Sequence, residues 1–279
     1  MRIAGAWTHV RRELEAAIDR LFEVAPQDSV EFDSLLQPDE IDRLGYLRNF
    51  PHLTCLLCAI DEADRPAFAA GRGLAAGYAP GGTRLALLPA TCYKVYLEHE
   101  GRTLARPVCV ACIARCFRHE DKPLDRYRGF NFTMKEIVCL GTAEDARAHV
   151  EAGAARIERL MSALGVPFAF ETASDPFFDA SSSVAVLAKA APTKREVVVA
   201  GRAIASLNLH RSYFGARFGI RLDDAPVHTA CVAFGIERWI AMLQERFEDP
   251  DHARARLAAF AAPPPRAPEP MLSSAGGDP

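Results

Sequence analysis

No stretch of about 18 consecutive apolar residues occurs in the chain, so a membrane-spanning helix is not expected. The opening Met1-Arg2-Ile3-Ala4-Gly5-Ala6-Trp7 lacks an apolar h-region, and Arg11, Arg12 and Glu13 follow soon after, so no secretory leader is expected. Neither sign of charge dominates. Thirty-three Lys and Arg against 36 Asp and Glu give a net charge of -3, without the basic excess of a protein that grips a nucleic-acid backbone. There is no Gly-x-x-x-x-Gly-Lys-Ser/Thr loop, which argues against a P-loop enzyme. The five glycines between Gly71 and Gly82 lack the strand-helix frame of a dinucleotide fingerprint and read as a plain loop. No Gly-x-Ser-x-Gly or Ser-His-Asp pattern supports a hydrolase.

What is present is an ordinary globular composition, 49% hydrophobic and 25% charged over 279 residues, enough to bury a substantial core. Residues 1–260 are expected to form one catalytic domain. Residues 261–279, with six prolines and Ser-Ser-Ala-Gly-Gly, are expected to be a disordered tail. Eight cysteines in a chain without a leader are expected to be core thiols or metal ligands in the cytoplasm rather than a disulfide framework.

Helical spacing of Val10, Leu14, Ile18 and Leu21 predicts an amphipathic helix from Trp7 to Val24. Ala143 to Leu164 is the clearest helix, with Gly165 as its stop. Leu53 to Ile60 is nearly continuously apolar and predicts a buried strand. Val108 to Phe117 and Glu136 to Leu140 predict an antiparallel hairpin around a polar loop. Phe168–Glu171, Ser183–Leu187 and Arg195–Val199 read as short strands, and Cys231 to Phe247 as a strand running into a helix. Strands in runs, without regular helical crossovers, predict an α+β fold with a mostly antiparallel sheet flanked by helices.

An ATP user without the usual loops needs guanidinium clamps, because Arg grips phosphate oxygens bidentately. Arg118 ends an apolar strand, and Arg238 lies just inside a helix after Gly235. Phe117-Arg118-His119-Glu120, Arg128, Phe132 and Glu136 resemble motif 2 of the class II aminoacyl-tRNA synthetases. Ala233-Phe234-Gly235-Ile236-Glu237-Arg238 resembles their motif 3, with Ala233 replacing a glycine. Thr91-Cys92-Tyr93-Lys94-Val95-Tyr96, Met134-Lys135-Glu136-Ile137-Val138, Ser174-Asp175-Pro176-Phe177-Phe178 and His228-Thr229-Ala230-Cys231 narrow the likeness. They resemble the amino acid:[carrier protein] ligases, truncated relatives of the zinc-dependent atypical seryl-tRNA synthetases.

The resemblance implies a class II synthetase-like catalytic domain and the following roles. Arg118 would hold the α-phosphate of ATP and Arg238 the γ-phosphate, with Phe132 stacking on adenine. Arg128 and Glu120 would line the nucleotide and amino acid site. Glu196, Ser206 and Asn208 would lie on the Mg2+ and ATP side, and Asp175 against the substrate. Cys92, Glu136 and Cys231 would bind Zn2+. Two thiolates and a carboxylate leave zinc a free fourth position, as a catalytic site requires. A neutral substrate amine would fill it. The stretch His210-Arg211-Ser212-Tyr213-Phe214 reads equally as pocket wall or as a solvated strand end.

A second cysteine pattern, Cys55-x2-Cys58 with Cys109-x2-Cys112, superficially spells a four-thiolate zinc site. The 50 residues between the pairs exceed the usual spacing, and both pairs sit in apolar runs. These thiols, with Cys116 and Cys139, are therefore expected in the core.

The resemblance implies ATP-dependent activation of a small amino acid and its transfer to the phosphopantetheine thiol of a carrier protein. The acidic charge and the absence of a recognisable tRNA-binding domain argue against tRNA as acceptor. The alternatives are an aminoacyl transferase forming an amide on another acceptor, and a non-catalytic paralogue. A homodimer is expected from the class II likeness.

Overall fold

The computed structural model describes residues 2–74, 81–121, 123–190 and 192–260. Part of the Gly71–Gly82 loop and the proline-rich stretch 261–279 lie outside the described residues. Seven strands build the main sheet: β1 (Ser29–Glu31), β2 (Val108–Phe117), β3 (Asn131–Gly141), β4 (Ala169–Ala173), β5 (Lys194–Val199), β6 (Arg202–Arg211) and β7 (His228–Gly235). Their spatial order is β1-β2-β3-β7-β6-β5-β4. Only β1 and β2 pair in parallel; the other neighbours are antiparallel.

Alternation along β3 divides the interior. Ile137 faces a core filled by α1 (Trp7–Leu21), α3 (Ala143–Leu164) and α6 (Ile236–Arg246), while Val138 faces a second core around α2 (Cys92–Glu98) and α5 (Tyr213–Arg217). In α1 the residues at helical spacing, Val10, Leu14, Ile18 and Leu21, are fully buried. Trp239, Ile240 and Leu243 bury the face of α6, each contributing roughly 1.5–3 kcal/mol. α3 begins with a capping box between Thr142 and Asp145 and ends at Gly165, whose φ of 64° is the left-handed turn that glycine permits. Gly153 lets α3 lie against the sheet, because a Cβ there would come within 2.6 Å of Val232 Cγ2.

Three expectations fail. Ser183–Ala190 is a helix, α4, rather than a strand; a short apolar run with β-branched valines does not by itself choose between the two. Leu56–Cys58 is a strand, but an exposed one at the edge of a small three-stranded sheet with Thr83–Leu87 and Leu35–Leu36. Cys58 is accordingly exposed and Cys55 half-buried; Cys109, near the start of β2, is exposed too, whereas Cys112, Cys116 and Cys139 are buried as expected. β6 went unread because two bulges, at Ala203/Ala205 and Leu209/Arg211, break its period-2 pattern.

Candidate active site

The second core opens into a cavity of about 550 Å3 on the face of the sheet formed by β3, β7 and β6. Arg118 follows the last residue of β2. Its backbone N–H donates to Phe130, its Nε donates to the Pro89 carbonyl at 3.0 Å, and its guanidinium lies over the Phe132 ring at 5.2 Å from the centroid. Arg238 occupies the first turn of α6, where Nε donates to the Tyr127 carbonyl and Nη1 to that of Ala203, both at 2.9 Å. Carbonyls thus fix both guanidiniums while leaving other N–H donors for the cavity. Burial lowers the pKa of Arg238, and the charges of Arg118 and Arg128 lower it further. Arg118 and Arg128 thus repel the Arg238 guanidinium, a repulsion that a bound polyanion relieves. Arg128 itself lines a small side cavity that shares Glu120, Phe132 and Arg238 with the main one, and it pairs with Glu120 at 2.8 Å.

Cys92 at the start of α2, Glu136 on β3 and Cys231 on β7 bring their donor atoms within 4.8 Å of one another, all three buried. Glu136 Oε1 accepts from the backbone N–H groups of Thr91 and Cys92 at 2.8 and 3.1 Å. The N-terminus of α2 therefore aims Glu136 at the thiols. Cys92 is held well above the ordinary thiol range, first by its hydrogen bond to Cys231 and then by burial and Glu136. At Cys231 the contact with Cys92 favours the thiolate, but burial and Glu136 outweigh it. A buried carboxylate beside two buried thiols is costly without a compensating cation, and the donor set fits a borderline-soft divalent metal. Asn208 Nδ2 donates to Ser206 Oγ at 3.1 Å and to Cys231 Sγ at 3.4 Å.

The far wall is ionic. Lys194 Nζ pairs with Asp175 at 2.8 Å and Glu196 at 3.2 Å. Burial opposes the charges of Asp175 and Lys194, but their mutual attraction outweighs it, lowering the one pKa and raising the other. His210 sits at the second bulge of β6, next to Arg211 with its φ of 56°. Its Nδ1 lies 3.2 Å from Tyr96 Oη and 3.3 Å from Thr229 Oγ1, and its ring meets Phe214 edge to face at 5.2 Å. Burial pushes its pKa down to about 4. The tight approach of α5 to the sheet depends on Gly215, where a Cβ would lie 2.0 Å from the Val227 carbonyl oxygen.

The structure brings the expected residues together: Arg118, Glu120, Phe132, Asp175, Glu196, Ser206, Asn208 and Arg238 line the main cavity with Cys92, Glu136 and Cys231, and Arg128 lines the side pocket. His210 and Phe214 are held in the pocket wall, whereas Arg211 and Tyr213 line the cavity and remain exposed to solvent. Sequence reasoning missed Lys194, whose charged run reads as a solvated strand start, and the rings of Tyr46, which is buried, and Tyr93, which is half-buried. It also missed Glu237, which accepts from Thr133 N, Thr133 Oγ1 and Arg115 Nη1 and ties the Arg238 turn to β2 and β3. The one local signal for Glu237 was its place beside Arg238.

Residues 80–247 match the family described as the tRNA synthetase class II core domain (G, H, P, S and T). Two proteins of Bradyrhizobium diazoefficiens are similar over most of the chain. Amino acid--[acyl-carrier-protein] ligase 1 is 32% identical over 231 residues, covering 77% of this chain and 70% of that protein. Ligase 2 is 34% identical over 237 residues, covering 78% and 70%. Among solved structures, M. kandleri SerRS in complex with A. aeolicus tRNASec superposes with a TM-score of 0.71 at 16% identity, over 94% of this chain and 58% of that one. The cytoplasmic serine-tRNA ligase of Naegleria fowleri with AMP gives 0.66 at 13% identity, over 91% and 59%. These two likenesses concern the fold.

Proposed function

Because this chain belongs to the class II tRNA synthetase core family, and within it to the amino acid--[acyl-carrier-protein] ligases, we propose that it activates a small amino acid with ATP and loads it onto a carrier protein. The observation that carries this reading is the joining of two chemistries in one cavity: guanidiniums at one end, and a Cys-Glu-Cys donor set beside them. The amino acid carboxylate oxygen attacks the α-phosphorus of ATP, the bond to the β-phosphate oxygen breaks, and pyrophosphate leaves. The thiol of the phosphopantetheine arm then attacks the acyl carbon, losing its proton as AMP departs.

Arg118 and Arg238 bind and orient the triphosphate and neutralise charge that builds as pyrophosphate leaves. Phe132 offers a ring face to adenine, and the Arg128–Glu120 pair closes that side. Cys92, Glu136 and Cys231 would hold Zn2+, which supplies a Lewis-acidic position for a neutral amine and so discriminates against hydroxy acids. Glu196, with Ser206 and Asn208 beside it, would hold the Mg2+ that accompanies ATP; the Lys194 ammonium shares that carboxylate in the present structure. Asp175 faces the cavity as a carboxylate and would contact the substrate.

A carrier protein rather than tRNA is favoured by the names of both relatives and by the net charge of -3. No helix among the described residues is long and apolar enough to cross a membrane; the proposed use of ATP and a carrier protein is what places its work in the cytoplasm. The exposed Leu35, Leu56, Leu57 and Ile60 around the small sheet are the surface we assign to a second copy of the chain, which light scattering after size exclusion tests. The central experiment is a pyrophosphate-exchange screen across amino acids, followed by thioester formation on holo and apo carrier. Exchange with none of them would overturn the ligase reading and leave a non-catalytic paralogue; exchange with equal product on both carriers would point to an amide-forming transferase.

A further inference from the structure

We infer that Cys109 and Cys139 are a reversible modification site, closing as a cross-strand disulfide on the sheet face opposite the cavity. The two residues are Cα partners in the unbroken register of β2 and β3. Whether such partners suit a disulfide depends on parity. The Arg118 N–H donates to the Phe130 carbonyl, so 118 and 130 are a hydrogen-bonded pair. Counting back along the register, even-numbered residues of β2 bond to β3, and odd-numbered ones turn their backbone groups the other way. Two odd-numbered residues show this directly: the Ile113 carbonyl accepts from Phe32, and the Phe117 N–H donates to Leu88.

Cys109 and Cys139 are therefore a non-hydrogen-bonded pair, with Cα atoms about 4.5 Å apart and side chains on one face. That spacing lies within the Cα range of natural disulfides, about 4.4–6.8 Å. Cys109 is exposed, so a reagent reaches its sulfur, and Cys139 is the buried partner that can resolve it. The face is that of Ala111 and Ile137. Cys112, Glu136 and Cys231 point to the other side of the sheet, so the bond forms without touching the metal-donor set.

The oxidant is a low-molecular-weight disulfide. The Cys109 thiolate attacks one of its sulfurs, making a mixed disulfide and releasing one small thiolate. The Cys139 thiolate then attacks the Cys109 sulfur and expels the second. Two electrons pass from the protein to the reagent, and the two protons end on the two small thiols. Although Cys109 keeps an exposed surface, the surrounding chain partly desolvates its thiol and raises its pKa, and burial raises Cys139 to about 12, so the exchange is slow near neutrality and quickens with alkaline pH. The loop thus closed carries Arg118, Glu120, Arg128, Phe132 and Glu136, so the bond staples the hairpin that supplies much of the site.

The test uses the full chain with oxidised glutathione at pH 8.5, quenched in acid, alkylated under denaturing conditions and mapped by mass spectrometry. The expected result is a joined pair of peptides containing Cys109 and Cys139, lighter by two hydrogens and separated again by dithiothreitol. Cys92 and Cys231 should be recovered unlinked. The oxidised protein should melt several degrees higher, since closing such a loop restricts the unfolded chain. Cys109→Ser and Cys139→Val should each lose the joined peptides. Recovery of Cys109 as a lasting mixed disulfide, of both thiols alkylated, or of a link to another cysteine would overturn the inference.

Discussion

Asn208 and Cys231 face each other as Cα partners across β6 and β7, and the Asn208 amide donates to the Cys231 sulfur at 3.4 Å. An amide donor aimed at a buried sulfur favours its thiolate, and it does so here against burial and against Glu136. Asn208 is thus placed to support the proposed metal-donor set, and its second contact, Ser206 Oγ, lies on the proposed ATP side.

Asn208→Ala should therefore weaken metal binding while leaving all three donors in place. Loss of an outer hydrogen bond to a ligand typically costs about 10- to 100-fold in metal affinity. Competition with a chromophoric chelator measures it. Asn208→Asp, which brings a negative charge toward the thiolate, should bind more weakly than Asn208→Ala. Equal affinity in the wild type and both variants would remove the support role.

Arg238→Ala takes away one end of the proposed phosphate clamp. Charge-assisted hydrogen bonds contribute about 1.5–3 kcal/mol, so kcat/KM for pyrophosphate exchange should fall on the order of 10- to 100-fold. Metal content should stay at the wild-type value, because Arg238 contacts Tyr127 and Ala203 rather than the Cys-Glu-Cys set. A variant that lost metal along with exchange would show instead that the substitution disrupts the cavity as a whole.

The parts of this site legible in the sequence sit where an element begins or ends. Arg118 follows the last residue of a strand, Arg238 lies in the first turn of a helix, and Cys92 opens another, so the family motifs that the sequence resembles locate them. Lys194 was not legible, because its meaning comes from Asp175, which the fold brings beside it from a separate segment. Glu237 reads as an ordinary helix carboxylate until Thr133 and Arg115 are seen to converge on it. His210 gave an even choice between pocket and solvent, and a bulge, invisible in residue types, decides it. The exposed edge strand Leu56–Cys58 shows the same limit in reverse, since an apolar run states a preference for burial without saying what will cover it.

Removing one of the three proposed metal donors gives a third prediction. Cys231→Ser keeps the shape of the side chain but replaces a thiolate donor by a hydroxyl that does not ionise near neutrality. Metal measured on the purified protein should drop from one equivalent toward none, and amino acid activation should go with it. The metal-free wild type should also melt lower, because Glu136 would stay buried without a compensating cation. Full exchange activity in Cys231→Ser after chelator treatment would show that the three donors do not serve the reaction.

The fourth prediction concerns acid. His210 is buried neutral, with its pKa at about 4 against an ordinary 6.5. Between those two values the unfolded chain binds a proton that the folded protein refuses, so stability falls as pH is lowered through the window and rises as it is raised. At about 1.36 kcal/mol per pKa unit, this one residue accounts for at most ~3 kcal/mol. His149, also lowered by burial, works in the same direction, whereas Asp175, with its pKa held below the ordinary 3.8, contributes stability throughout this window and loses it only at lower pH. Urea midpoints of the wild type should therefore decline steadily from pH 7 to pH 4.5. In His210→Asn, which keeps a polar group near Tyr96 and Thr229 but does not titrate, the decline should be visibly shallower. Parallel declines in the two proteins would mean that His210 accepts a proton in the folded state as readily as in the unfolded one, against its place behind Tyr96 and Phe214.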